Sequence, residues 1–215
     1  LGDVYKRQVS LLPNGRSPHD FEPTPSQVNR VRRALLFVYV GEDPDGWLRR
    51  SALAVVGEDA PLAAMRAVAP EPERDPHLWL DLEAVRAFLP ALAESLGARD
   101  TADEVGYRSR AAAALDSLDA FDAWARERLA PVRDVPFAIL HPAFESFVRR
   151  YGLNLVAVLQ YQAEGEALPR TLGEITEAMR AAGAGIVFAE PHLSPKVAET
   201  MAHDCLLYTS DAADE

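Results

Sequence analysis

The sequence predicts an α/β fold with mostly parallel sheets, and three observations support this class. Short apolar runs alternate along the chain with amphipathic helical patterns, which is the order of strands and helices in parallel α/β proteins. The apolar runs are continuous rather than alternating, as expected for strands that are buried on both faces of a sheet. One further segment, residues 101–130, has helical periodicity over a greater length than a small lobe needs.

The individual elements follow from these patterns in chain order. The apolar runs predict strands at 34–40, 136–140, 153–159 and 184–189. The helical patterns predict helices at 25–33, 82–97, 142–151, 170–182 and 194–203. The stretch 68–76 is rich in proline and charge, so an irregular loop is expected there.

The long segment 101–130 has apolar residues at every third or fourth position. These residues are Leu115, Leu118, Phe121, Ala125 and Leu129. Thr101 and Glu104 have the spacing of a capping box, which predicts the start of the helix, and Pro131 predicts its end. At 1.5 Å per residue the helix would be roughly 45 Å long. This length fits either an ordinary surface helix or a rigid strut between two lobes.

The two ends of the chain, residues 1–8 and 205–215, are interpreted as translated sequencing adapters. Back-translation of both ends fits transposon and adapter DNA in opposite orientations, so these residues are excluded from fold reasoning and are not expected in the core. The natural segment is then 9–204, and any signal peptide would lie upstream of it. Cys205, the only cysteine, falls in an excluded end, so neither a disulfide nor thiol chemistry is expected.

The composition argues against two classes of function. The chain has 33 acidic and 22 basic residues, and its formal net charge is −11. Because the basic residues form no cluster, no nucleic-acid partner is expected. No run of about 18 apolar residues occurs, so no membrane-spanning helix is predicted.

Three of the five histidines stand where α/β folds bind ligands. His19 lies in a loop before a helix, His77 just before a helix, and His141 directly after a predicted buried strand. Three imidazoles on such loops form a zinc site if they converge. The alternative is three helix-capping or surface histidines with no common ligand, and no HExxH or CxxC motif decides between them.

Other polar and aromatic residues near these positions have competing interpretations. Glu190 and His192 are alternative ligands at a strand end, and His203 is expected on the surface. Three acidic residues close to the histidines are interpreted either as acceptors that orient an imidazole or as helix N-terminal charges: Asp75, Asp81 and Glu145. Three aromatic residues are expected in the core: Trp79, Phe144 and Phe147.

Four sequence words carry a family resemblance. SPHDFEPTPSQ, DPHLWLD, HPAFESFVRRYGL and FAEPHLSPKVAETMA occur in this order, and the set resembles the metal-binding solute-binding proteins of bacterial zinc and manganese ABC importers. The resemblance covers essentially all of 9–204. It implies two α/β lobes bridged by one long helix. The lobes would be 9–100, with its first strand missing, and 131–204, which would be incomplete, and 101–130 would be the bridging helix.

The same resemblance implies that His19, His77 and His141 bind the metal between the lobes. Manganese members tend to have a carboxylate where His141 stands, and imidazole suits zinc, so Zn²⁺ is the expected metal and Mn²⁺ the alternative. The family usually supplies a carboxylate as fourth ligand, which would lie beyond residue 204. The loop 68–76 lacks the histidines that zinc members often have there, so no accessory metal site is expected.

The resemblance implies a binding protein and not an enzyme. Its expected role is to capture Zn²⁺ outside the cytoplasmic membrane and to deliver it, as a monomer, to the permease of an ABC importer. The expected location is periplasmic or extracellular, with or without a lipid anchor. The alternatives are manganese binding, a metal-regulated adhesin, and a three-histidine zinc hydrolase, for which no general base can be assigned.

Overall fold

The computed structural model describes residues 8–14, 16–19, 21–32, 34–41, 45–70, 75–158 and 169–190. Its helices are α1 (Pro25–Val31), α2 (Gly46–Val56), α3 (Leu82–Gly97), α4 (Glu104–Leu129), α5 (Glu145–Tyr151) and α6 (Pro169–Ala182). Its strands are β1 (Phe37–Tyr39), β2 (Leu62–Ala64), β3 (Phe137–Ile139), β4 (Leu155–Val158) and β5 (Val187–Phe188). The chain divides into two compact units, Leu1–Leu118 and Asp119–Glu215.

The first unit is built on two parallel strands. β1 pairs with β2 from Phe37 opposite Leu62 to Tyr39 opposite Ala64, and α2 lies between them in sequence. One apolar cluster packs α2 against β1, through the buried residues Leu11, Phe21, Phe37, Trp47 and Ala52. A second cluster joins β2 to α3, through Ala63, Met65, Leu78, Ala84 and Phe88.

Side-chain caps explain where two helices of this unit begin. Thr24 precedes α1 and forms a capping box with Gln27, in which each side chain bonds the backbone N–H of the other residue. Asp81 precedes α3, and its carboxylate accepts hydrogen bonds from the N–H groups of Glu83 and Ala84. Each cap satisfies N–H groups that the first helical turn leaves unpaired.

The second unit contains a three-stranded parallel sheet in the order β4-β3-β5. Its core consists of Ala138, Leu140, Met179 and Ala184. Gly152 ends α5 in the left-handed region with φ 63°, a conformation that favours glycine, and the chain then turns into β4. The central strand β3 ends two residues before His141.

The long helix α4 begins in the first unit and ends in the second. Its apolar stripe is only partly buried, because Ala125 is 1% exposed whereas Phe121 is 40% exposed. The predicted capping box is wrong, since Thr101 begins a 3-10 turn, Thr101–Asp103, and α4 itself begins at Glu104. The predicted end is confirmed, because α4 stops at Leu129 and a 3-10 turn containing Pro131 follows.

The predicted fold class is confirmed, with parallel sheets and a long helix in an α/β arrangement. Two elements were missed, since neither α2 nor β2 was predicted from the sequence. The predicted helix 194–203 and the ends 1–7 and 205–215 lie outside the described residues. The predicted lobe boundaries remain predictions. None of the helices in the described part of the chain combines the length and the apolar character needed to cross a membrane.

Candidate metal centre

His77 is buried and is held by Asp75 at two points. The carboxylate Oδ1 of Asp75 accepts the backbone N–H of His77 at 2.8 Å and lies 2.9 Å from its ring Nδ1. Both residues are at most 4% exposed. Because a carboxylate accepts, Nδ1 is the nitrogen that carries the hydrogen, and the lone pair of the neutral ring is then on Nε2. The loop thus presents Nε2 of His77 as a ligand atom.

The ring of His19 meets the ring of His77 at this nitrogen. The two Nε2 atoms are 3.2 Å apart, and the ring planes cross at 66°. A tetrahedral zinc ion with Zn–N distances of about 2.0–2.1 Å would hold two nitrogens roughly 3.3–3.4 Å apart. The pair therefore already has nearly the spacing of two ligands of one zinc ion.

His141 occupies the expected position in the second unit. It follows β3 and the fully buried Leu140, and it immediately precedes the 3-10 turn Pro142–Phe144 that leads into α5. The side chain is 6% exposed. The structure therefore brings His19 and His77 together in the first unit and places His141 at the carboxyl end of a central strand in the second.

The three neighbouring acidic residues have different roles. Asp75 is the acceptor that orients an imidazole, as one of the two interpretations predicted. Asp81 is the N-cap of α3, and Glu145 is the first residue of α5, so both agree with the second interpretation. Of the alternative ligands, Glu190 is half-buried just after β5, whereas His192 lies outside the described residues, as does His203.

Two aromatic residues beside the histidines are not in the core, contrary to the prediction. Trp79 is 40% exposed and its ring centroid lies 5.4 Å from that of His77. Phe144 is 41% exposed, three residues after His141. Phe147 is half-buried against Tyr151. Both residues lie in short turns that follow a histidine: Trp79 is in the turn after His77, and Phe144 is in the turn after His141.

Sequence reasoning missed the residues that support the two ligand loops. Arg66 follows β2, and its Nη2 lies 3.5 Å from the backbone oxygen of Asp75, at the limit of a hydrogen bond. Trp47 in α2 donates its indole N–H to the backbone oxygen of Pro18, one residue before His19. The only signal for Trp47 is a large aromatic residue in a segment whose helix was not predicted.

Comparisons with known proteins identify the relatives of this chain. A family model described as zinc-uptake complex component A, periplasmic (ZnuA), matches residues 2–213. The manganese-binding lipoprotein MntA of Halalkalibacterium halodurans is 25% identical over 218 residues, which cover 95% of this chain and 72% of the relative. The high-affinity zinc uptake system protein ZnuA of Paracoccus denitrificans is 26% identical over 239 residues, with coverages of 92% and 73%.

A solved structure extends the likeness to the fold. The solute-binding protein FpvC of Pseudomonas aeruginosa, in complex with Mn²⁺, superimposes with a TM-score of 0.80 at 25% identity. The match covers 92% of this chain and 76% of that chain. The relatives are named for different metals, and metal binding is what they share. The chain belongs to the periplasmic zinc-uptake complex component A (ZnuA) family, the metal-binding solute-binding proteins of zinc and manganese ABC importers.

Proposed function

We propose that this protein captures Zn²⁺ outside the cytoplasmic membrane through His19, His77 and His141. The observation that carries the proposal is the pair of imidazole nitrogens, 3.2 Å apart, on His19 and His77. Two imidazole nitrogens at this distance match two corners of a zinc tetrahedron. The hydrogen bond from Nδ1 of His77 to Asp75 supports the same reading, because metal-binding histidines commonly donate their second N–H to a carboxylate.

His141 is proposed as the third ligand. It is a buried histidine at the carboxyl end of β3, which is the edge at which parallel sheets bind ligands. A third imidazole favours zinc over manganese, since manganese prefers oxygen ligands. Because relatives of this chain are named for zinc and for manganese, the choice of zinc depends on this residue, and Mn²⁺ is the second candidate.

A binding role is favoured over the three-histidine hydrolase. The family to which the chain belongs takes up metal rather than turning over a substrate. Asp75, the carboxylate that contacts His77, accepts two hydrogen bonds from that residue. A carboxylate engaged in this way orients a ligand and is poorly placed to take a proton from a metal-bound water.

The remaining parts of the proposal follow from the family. The metal is passed to the permease of an ABC importer, and the protein acts as a monomer. It works in the periplasm or at the cell exterior, with or without a lipid anchor. Metal capture is a property of the isolated chain, so it can be tested without the permease.

Competition with a chromophoric chelator tests the ligand set. The wild type should bind one Zn²⁺ per chain and should prefer it to Mn²⁺. His19→Ala, His77→Ala and His141→Ala should each weaken zinc binding at least about tenfold, the lower end of the loss seen when even an outer partner of a ligand is removed. His203→Ala is the matched control and should bind like the wild type. Unchanged affinity in all three variants would refute the proposed site.

A further inference from the structure

We infer that Trp47 is a positioning residue for metal capture, acting through the loop that carries His19. Its indole Nε1–H donates to the backbone oxygen of Pro18 at 3.1 Å. The inference rests on the proposed function, because it assigns Trp47 the task of holding one proposed zinc ligand, His19, at its spacing from the other, His77. Trp47 itself does not touch the metal.

Trp47 contacts the residues on both sides of His19. Besides its hydrogen bond to Pro18, its ring packs edge-on against Phe21, with ring centroids 4.8 Å apart and planes at 71°. Phe21 is 7% exposed and Trp47 is 9% exposed, so both contacts are shielded from water. The chain between these two contacts is short, and it contains His19.

The indole is fixed by the core beneath it. Trp47 lies in the first turn of α2 and belongs to the cluster that includes Phe37 of β1 and Ala52 of α2. A buried indole N–H requires an acceptor, and here the acceptor is a backbone oxygen of the loop that carries His19. Proline has no N–H, so its carbonyl is the one backbone group through which Pro18 can be held in this way.

Two further contacts complete the restraint on the ligand pair. The backbone N–H of His19 donates to Oγ of Ser17 at 3.2 Å, and Asp75 fixes the ring of His77. Both loops are therefore held before a metal arrives, and the two Nε2 atoms are 3.2 Å apart. A site that is ordered in advance binds more tightly, because its loops lose little conformational entropy when the ion binds.

Removing the N–H of Trp47 while retaining its aromatic ring tests the inference. Trp47→Phe in the full chain should raise the zinc dissociation constant about threefold to tenfold, or about 0.7–1.4 kcal/mol at 1.4 kcal/mol per factor of ten. Trp124→Phe is the matched control, since Trp124 is 55% exposed on α4, and its affinity should be unchanged. An unchanged dissociation constant in Trp47→Phe would overturn the inference.

A double-mutant cycle separates positioning from a general loss of structure. In the His19→Ala background, Trp47→Phe should have no further effect on zinc affinity, because the ligand that it positions is gone. An equal loss in both backgrounds would mean that Trp47 only stabilises the unit, and the inference would fail. If His19→Ala itself binds like the wild type, the inference fails and His19 is not a ligand of the proposed site. If His19→Ala weakens binding and Trp47→Phe does not, only the inference fails.

A second replacement avoids the cavity that phenylalanine leaves. Site-specific incorporation of β-(3-benzothienyl)alanine at position 47 exchanges the ring N–H for sulfur and keeps the bicyclic shape. This variant should reproduce the loss of affinity with a melting temperature close to that of the wild type. Full zinc affinity with this residue would overturn the inference even if Trp47→Phe proved too unstable to measure.

Discussion

Asp75 and His77 are joined by two hydrogen bonds to a single carboxylate oxygen, one from the backbone N–H at 2.8 Å and one from the ring Nδ1 at 2.9 Å. The first bond fixes the loop and the second fixes the ring. This arrangement determines which nitrogen of His77 is left for a metal. The same arrangement predicts different zinc affinities for Asp75→Ala and Asp75→Asn.

Asp75→Ala should lower zinc affinity by about tenfold to a hundredfold, the usual effect of removing an outer partner of a metal-binding histidine. Asp75→Asn should cost less, because the amide oxygen still accepts both hydrogen bonds but has no charge to raise the basicity of the ring. Chelator competition measures both constants. Equal affinities for Asp75→Ala and the wild type would show that the ring of His77 needs no such support.

Several elements near the candidate ligands could be predicted from the sequence. α3 was predicted at its observed bounds, because a strong helical period follows an aspartate that caps it. The strands of the second unit lie within the predicted apolar runs, and in the central strand β3 both Ala138 and Ile139 are buried, as expected for a strand that is covered on both faces. His141 could therefore be placed at a strand end from the sequence alone.

Other features depended on tertiary contacts that no local pattern contains. α2 was not predicted, and Asp45, which precedes it, makes no side-chain cap. Its carboxylate instead accepts the N–H groups of Val40 and Gly41, at the end of β1, and burial raises the pKa of Asp45. The meeting of His19 and His77, 58 residues apart, was implied by the family resemblance and not by spacing.

Protonation of Asp122 should lower the stability of the second unit at acidic pH. Its carboxylate accepts hydrogen bonds from Nε and Nη2 of Arg150 at 2.7 and 2.8 Å and from the hydroxyl of Tyr151 at 3.0 Å. The Arg150 guanidinium holds the pKa of Asp122 well below its ordinary value. Because the folded pKa is lowered, this stabilisation is complete above pH ~4, near the unfolded pKa, and is lost as the pH falls further.

Asp122→Asn should therefore lower the free energy of unfolding at pH 7 by about 1.5–3 kcal/mol, the contribution of hydrogen bonds to a charged group. The variant should also lose less stability than the wild type between pH 4 and pH 2. Urea unfolding at several pH values measures both effects. Glu104→Gln is the control, since its bond to Arg108 is exposed and worth at most about 0.5 kcal/mol. Parallel pH profiles for Asp122→Asn and the wild type would contradict the prediction.

Gly41 should resist substitution because of its neighbour Arg66. A Cβ on Gly41 would lie 2.7 Å from Nε and 3.1 Å from Cβ of Arg66, so the whole side chain would have to shift. Gly41→Ala should lower the free energy of unfolding by about 1–3 kcal/mol, as overpacking does. Gly173→Ala is the control, because nothing lies within 4 Å of its Cβ position. Thermal unfolding compares each variant with the wild type, and an unchanged melting temperature in Gly41→Ala would show that Arg66 relaxes at no cost.

His141 should decide between zinc and manganese. His141→Glu replaces a borderline nitrogen by a hard oxygen, so zinc affinity should fall and manganese affinity should rise relative to the wild type. The ratio of the two dissociation constants is the quantity to measure, since a general loss of stability lowers both affinities together. His141→Gln is the matched control, because it has nearly the size of glutamate without the charge that favours manganese. An unchanged zinc-to-manganese ratio in His141→Glu would mean that His141 is not a ligand, and the site would then consist of His19, His77 and groups not yet assigned.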